Sequence, residues 1–327
     1  MDRRAFIAGM TGAFLAVPLA EAQQAGKVYR IGLLDHSAPD DSRLGWWQSF
    51  KGRLRELGYV EGQNVVFEPR WAEEDASRLP GLAAELVRLK VHVIVTAGSA
   101  TAPAAWRATT TIPIVVTVVP DPVRDGFAMS LAKPGGNITG LSSGTAEVIQ
   151  KHVELLATAA PRITRFAVLL NPANPGHPPL LLSVQVAAQR SGRQVLPVAA
   201  SSPEEIERGF ASMTRNGADA LIVLVDSVFR QHRRQITGLA LKHRLPASYA
   251  NLEFADAGGL FIYATNQIEN FRRAAIYVDK IFKGAKPGEL PFELPTRYQL
   301  VINRKTATAL GLTLPQELLL RADKVIE

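Results

Sequence analysis

The sequence predicts an α/β protein built as two Rossmann-like lobes, each with a parallel sheet, that face each other across a hinged cleft. Three observations predict it. From residue 28 onward short β-rich runs alternate with helical stretches. The alternation then repeats as two matched halves. Finally, the chain of 327 residues exceeds what one hydrophobic core usually supports.

Ahead of the first strand, "MDRRAFIAGMTGAFLAVPLAEAQQ" has a charged start, an apolar run from Ala5 to Leu19 and the small-residue pattern Ala20-Glu21-Ala22. This is the pattern of an export signal over residues 1–22. The Arg3-Arg4 pair, Phe6-Ile7 after it and the softening glycines Gly9 and Gly12 match a twin-arginine signal. An ordinary Sec signal with two arginines at its start is the alternative. Either one places the expected product in the periplasm.

Strands are expected at 28–34, 64–69, 91–97, 113–119, 165–170, 194–199, 219–225, 246–250 and 259–263. The run Val115–Val119 is apolar and β-branched, as a strand covered on both faces should be. Helices fill the gaps at 43–58, 77–90, 146–160, 178–192, 203–216, 230–244 and 267–283, and Asp121-Pro122 reads as an N-cap and first residue for a further helix over Val123–Ala132. Ser202-Pro203-Glu204-Glu205 carries a cap, a proline at the first helical position and a capping-box acid.

The halves match piece by piece. "VYRIGLLD" parallels "RFAVLLNP", and "TIPIVVTVV" parallels "RLPASYANL" with a proline at each strand entry. The expected lobes are 28–143 with about 265–290, and 144–264 with about 291–327, the chain crossing first near Gly144 and again through "FRRAAIYVDKIFKG". Ligands of open parallel sheets bind beyond the carboxyl ends of the strands, so two such lobes put those loops around one cleft. Closure about a hinge would trap a small molecule there.

Composition excludes several alternatives. Lys and Arg total 37 against 30 Asp and Glu, a formal charge of +7, but the basic residues are scattered among acids. That describes a solvated surface rather than a nucleic-acid footprint. No cysteine is present, which removes disulfides, thiolate metal sites and cysteine nucleophiles. The six histidines lie far apart with no metal-binding spacing, and no phosphate-binding glycine motif is complete, so neither a metal nor a cofactor is expected.

The candidate ligand-binding residues lie in the loops after the strands. Gly98, Ser99, Ala100 and Thr101 join a buried strand to a helix, where free N–H groups suit a carboxylate; an ordinary capped turn is the alternative. Asn171 and Asn174 in "NPANPGHPP" offer donors and acceptors, and Asp226 after "ALIVLV" could hold an ammonium or cap the next helix. Asp121 and Pro122 occupy the same kind of loop, and a capping aspartate can present its second oxygen to a ligand. Tyr249 and Phe254 are candidates for stacking on an aromatic ligand or for core packing. Trp47 falls on an apolar helix face with Phe50 and Leu54, whereas Trp46 falls off it, toward the cleft or a partner.

"GLSSG" (140–144) matches a nucleophile elbow, with Asp226 and His232 or His243 in the chain order of a serine hydrolase. Under the binding reading Ser142 hydrogen-bonds the ligand instead.

Several stretches in order carry a resemblance: "ELGYVEGQNVVFEPRWAE", "RLPGLAAELVRLKVHVIVTAG", "DPVRDGFAMSLAKPGGNITGLS", "NPANP", "HRLPASY", "FADAGGL" and "YVDKIFKGAKPGELPFELPTRYQLVINRKTATALGL". With them the chain resembles the ABC transporter substrate-binding protein family of the tryptophan/tyrosine type. The resemblance implies a type I periplasmic-binding fold, a small amino-acid-like ligand that can be aromatic, a membrane permease of an ABC importer as partner, a monomer, and no catalysis. A ligand sensor for a membrane receptor would share the fold. The chain departs from the family pattern at Ser99-Ala100, where a Thr-Pro pair is common, and at Tyr263-Ala264, where a glycine commonly follows the tyrosine. The ligand carboxylate is expected at 98–101 and its ammonium at Asp121, Asp226 or both.

Overall fold

The computed structural model describes residues 27–98, 100–142, 145–295 and 298–327, with the backbone alone at 145–147. The expected export signal, Ser99, and Ser143 and Gly144 of the expected first crossing lie outside the described residues.

The first half runs β1 (Tyr29–Asp35), α1 (Asp41–Glu56), β2 (Val65–Trp71), α2 (Leu79–Arg88), β3 (Val93–Ala97), α3 (Thr101–Ala108), β4 (Ile114–Val119) and β5 (Ile138–Ser142). The second begins α4 (Thr145–Ala159), β6 (Arg165–Leu170), α5 (His177–Arg190), β7 (Gln194–Ala199), α6 (Pro203–Arg215) and β8 (Ala220–Val223). It continues through α7 (Ser227–Gln231), α8 (Arg233–Lys242), β9 (Ala247–Tyr249), β10 (Phe261–Thr265) and α9 (Gln267–Phe282). The chain ends in β11 (Tyr298–Asn303), α10 (Arg304–Ala309), α11 (Gln316–Leu320) and β12 (Lys324–Ile326).

Among the described residues the strands form two sheets, ordered β2-β1-β3-β4-β5 and β12-β11-β10-β9-β8-β6-β7. The inner order of the second, β7-β6-β8-β9-β10, repeats that of the first, so the sequence repeat is also a repeat of winding. All pairs are parallel except β10 with β11. β3 is buried along its whole length, as a strand covered by helices on both faces must be.

Later segments interleave between the lobes. α9 lies on the first sheet, where Phe271, Ala274 and Val278 pack with Trp47, Phe50 and Leu54 of α1. β11 returns to the second sheet, and Leu300 and Ile302 join the core around Phe166 and Val168. Between them Glu293 pairs with Leu141, its N–H donating to the Gly140 carbonyl at 3.0 Å and its carbonyl accepting from the Ser142 N–H at 2.8 Å. Two interlobe passages therefore run side by side. No helix among the described residues is long and apolar enough to cross a membrane.

Two expectations are corrected. No helix covers Val123–Ala132. Asp121 Oδ1 does accept the N–H groups of Val123 and Arg124 at 3.2 and 3.0 Å, but the Phe127 and Ala128 N–H groups both fold back on the Pro122 carbonyl. Gly126 sits at φ 77° and turns Phe127 into the core, which stops the helix after one turn. The helix expected at 230–244 is two helices, α7 and α8, that meet at His232.

Candidate functional site

The carboxyl ends of both sheets border one cavity of about 150 Å³. Most of its walls are residues that end or follow β1, β3 and β4 on one side and β6, β8, β9 and β10 on the other, joined by Val148 and Ile149 of α4 and by Tyr298 at the start of β11. This is where loops of parallel sheets collect. The pairing of β4 with β5 slips between Val116 and Val119, and the residues in the slip, Thr117 and Val118, line the cavity.

On the first lobe the site is organised by Asp35, the last residue of β1 and 1% exposed. It accepts Trp47 Nε1–H at 2.8 Å and the Ser37 N–H at 3.0 Å, and it pairs with Arg43 at 2.9 Å. A buried guanidinium is tolerable only with such a partner. Held there, Arg43 reaches the cavity wall with its guanidinium carbon 4.7 Å from the Trp46 ring centroid. Arg230 from α7 approaches the same ring at 5.5 Å, so Trp46 meets two cations at the cleft.

On the second lobe Asp226 caps α7, accepting the Val228 N–H at 3.0 Å. The amides of Asn174 and Asn171 donate to it at 2.9 and 3.3 Å. His177 packs behind them. Its Nδ1 accepts the Asn171 N–H at 2.7 Å and its Nε2–H donates to the Val225 carbonyl at 2.9 Å. Burial holds this imidazole below its ordinary range, in the neutral form that the two bonds require.

The lobes are tied across the cleft through α7. Arg230 Nη1 donates to Asp40 Oδ2 at 2.7 Å, Gln231 Nε2 donates to Glu74 at 2.9 Å, and the Ser227 hydroxyl donates to the same carboxylate. Burial opposes ionisation of Asp40, but the Arg43 N–H and the Arg230 guanidinium hold its carboxyl below the usual range. Four lining residues keep a buried polar atom with no hydrogen-bond partner among the described residues: His36 Nδ1, Thr117 Oγ1, Arg230 Nη2 and Asn251 Oδ1. Unpaired buried groups are costly and need a reason.

Of the residues expected at the site, Gly98, Ala100, Asn174 and Asp226 line the cavity. Gly98 sits at φ 101°, a backbone conformation that favours glycine. The next residues stand behind the wall. Thr101 is fully buried with its hydroxyl on the Gly98 carbonyl at 2.8 Å, and Asn171 acts through Asp226. Ser142 donates to the carbonyl of Pro120, itself a lining residue, at 3.0 Å. Asp121 and Pro122 do not line the cavity, and Asp121 spends an oxygen on its own turn. Tyr249 is 1% exposed in the core and stacks on Phe254 at 4.5 Å, while Ala250 and Asn251 after it reach the cavity.

Among the described residues no hydrogen bond links Ser142, Asp226 and either His232 or His243 into a triad. The Ser142 hydroxyl is on a carbonyl, Asp226 is held by asparagines, and His243 Nδ1 meets Thr214 Oγ1 at 2.8 Å. Arg43, Thr117, Arg230 and Asn251 were not singled out as site residues by sequence reasoning. Only Arg230 carried a signal, as a cation one helical turn beyond Asp226.

Comparison with known proteins agrees with this architecture. The model of the family described as ABC transporter substrate binding protein matches residues 31–326. A tyrosine-binding protein of Clostridioides difficile (strain R20291) is 25% identical over 280 residues, 86% of this chain and 79% of the relative. The ABC domain from Streptococcus pneumonia, solved in complex with L-Trp, is 25% identical with a TM-score of 0.84, covering 92% of this chain and 100% of that one. A conserved domain protein from Vibrio cholerae, also 25% identical, gives a TM-score of 0.85 over 91% of this chain and 100% of its own. The family match spans both sheets and all the residues that line the cavity, and we conclude that the chain belongs to the ABC transporter substrate-binding protein family, with a type I periplasmic-binding fold.

Proposed function

We propose that this protein binds one aromatic amino acid between its lobes in the periplasm and delivers it, chemically unchanged, to the membrane permease of an ABC importer. The export signal at 1–22 would bring it there, and it would act as a monomer. The lobes are 28–143 with about 265–290, and 144–264 with about 291–327. The observation that carries this reading is one cavity between the lobes that joins an aromatic wall to charged ends. Trp46, Tyr263 and Tyr298 supply the wall, and Asp226 on one lobe with Arg43 and Arg230 supply the charges. Relatives whose names specify tyrosine or tryptophan support the ligand class.

In this reading the ligand ring lies against Trp46, and its ammonium meets Asp226, with Asn174 beside it and Asn251 Oδ1 as a second acceptor. The carboxylate faces Gly98, Ser99 and Ala100 at the start of α3, a helix with no side-chain cap of its own. Thr101, Asn171 and Ser142 support that wall from behind. A thermal-shift screen of the twenty amino acids and small carboxylates tests the reading. L-tyrosine and L-tryptophan should raise the melting temperature in proportion to the logarithm of concentration once it exceeds Kd. If no amino acid shifts it, the reading fails.

A further inference from the structure

Arg230 is placed unlike any other cation near the cavity. Its side chain is 2% exposed, yet its two terminal nitrogens have different fates. Nη1 crosses the cleft to Asp40, while Nη2 is buried with no partner among the described residues. The surrounding groups leave Nη2 unclaimed. Asp40 is taken up by Nη1 and by the Arg43 N–H at 2.8 Å. Arg43 is a like charge engaged by Asp35, and Arg233 turns its Nη1 to the Arg230 carbonyl. Glu253, on the turn at 252–254, has a buried Oε2 that is itself unpartnered. A desolvated guanidinium N–H with no acceptor is expensive, and an anion is the group that offsets the cost best.

We propose that Arg230 is a two-handed anchor: Nη2 takes a carboxylate oxygen of the bound amino acid while Nη1 holds Asp40 on the opposite lobe. This rests on the amino-acid reading above and deepens it, because it makes the ligand's carboxylate the group that fastens closure. The carboxylate is then gripped from both lobes, by the start of α3 on the first and by Arg230 on the second. Ser227 and Gln231, one on each side of Arg230 in α7, join the same latch through Glu74. A planar fork can serve two acceptors in fixed directions, which a lysine ammonium cannot do as well.

The test is isothermal titration of the full protein with L-tyrosine and with L-tyrosinamide, which lacks the carboxylate charge. Wild type, Arg230→Gln and Arg230→Lys are compared. Wild type should prefer L-tyrosine by about 30-fold to 100-fold, the size of a buried charge-assisted bond. Arg230→Gln should lower L-tyrosine affinity by a similar factor and bring the preference down toward its level for the amide. Arg230→Lys keeps the charge, guards against misfolding of the glutamine variant, and should retain only part of the preference. If either folded variant keeps the wild-type ratio of L-tyrosine to L-tyrosinamide, the anchor is overturned while the amino-acid reading stands. If wild type binds neither L-tyrosine nor L-tryptophan, the amino-acid reading itself fails and the anchor with it.

Discussion

His152 shows how a single side chain can tie stability to pH. It lies in α4 with no exposed surface, its Nδ1 2.7 Å from Ser248 Oγ and its Nε2 without a partner among the described residues. Burial pushes its pKa down from 6.5 to about 4. The unfolded chain therefore binds more protons between those values, and stability rises with pH through that window. The contribution is complete above about pH 6.5 and is lost as pH falls toward 4, on the order of 3 kcal/mol at ~1.4 kcal/mol per unit. Melting curves of wild type and His152→Gln between pH 4 and 7 check this. Wild type should lose stability more steeply on acidification, and parallel curves would show that His152 contributes nothing. At this scale the sequence was legible where chemistry coincides with a strand end. Asp226 and Asn174 follow predicted strands and reach the cavity, as their positions imply. Arg43 and Arg230 sit on helices and read as solvated charge until the fold brings them to Asp35 and Asp40.

Elements were legible where hydrophobic period and caps agreed, and less so where tertiary contact decides. Ser202 caps α6 and Asp226 caps α7 as their types suggest. Asp121 has the same chemistry, but Gly126 ends its turn before a helix can grow. The stretch "KPGGNIT" looks unsuited to a central strand, and β5 is indeed an edge of its sheet. Gly140 of that strand explains part of the elbow-like motif without catalysis. It pairs with Val116 at φ 139°, and a Cβ there would lie 2.2 Å from the Val116 carbonyl oxygen. Gly140→Ala should therefore cost on the order of 3 kcal/mol through forced separation of β4 and β5. Urea unfolding measures it, and a loss below about 0.5 kcal/mol would mean the strands part freely.

For the whole molecule, the repeat of βα units was the strongest signal in the sequence. It predicted two lobes, and the matched orders β2-β1-β3-β4-β5 and β7-β6-β8-β9-β10 bear it out. The antiparallel strand β11 and the short β12 had no counterpart in the repeat, which is why neither was expected. Two lobes joined by side-by-side passages can hinge, and α7 then acts as the bolt between them. Bonds such as Gln231 to Glu74 are partly solvated and individually weak, so a ligand gripped from both sides would dominate the closed state. Under the proposed function an aromatic amino acid occupies this cleft with its ring on Trp46. Isothermal titration of wild type and Trp46→Ala with L-tryptophan and L-tyrosine measures that contact. Wild type should show one site per chain, and the variant should lose at least about tenfold in affinity. Absence of binding in wild type, or equal affinity in the variant, would mean that no aromatic ring rests on Trp46.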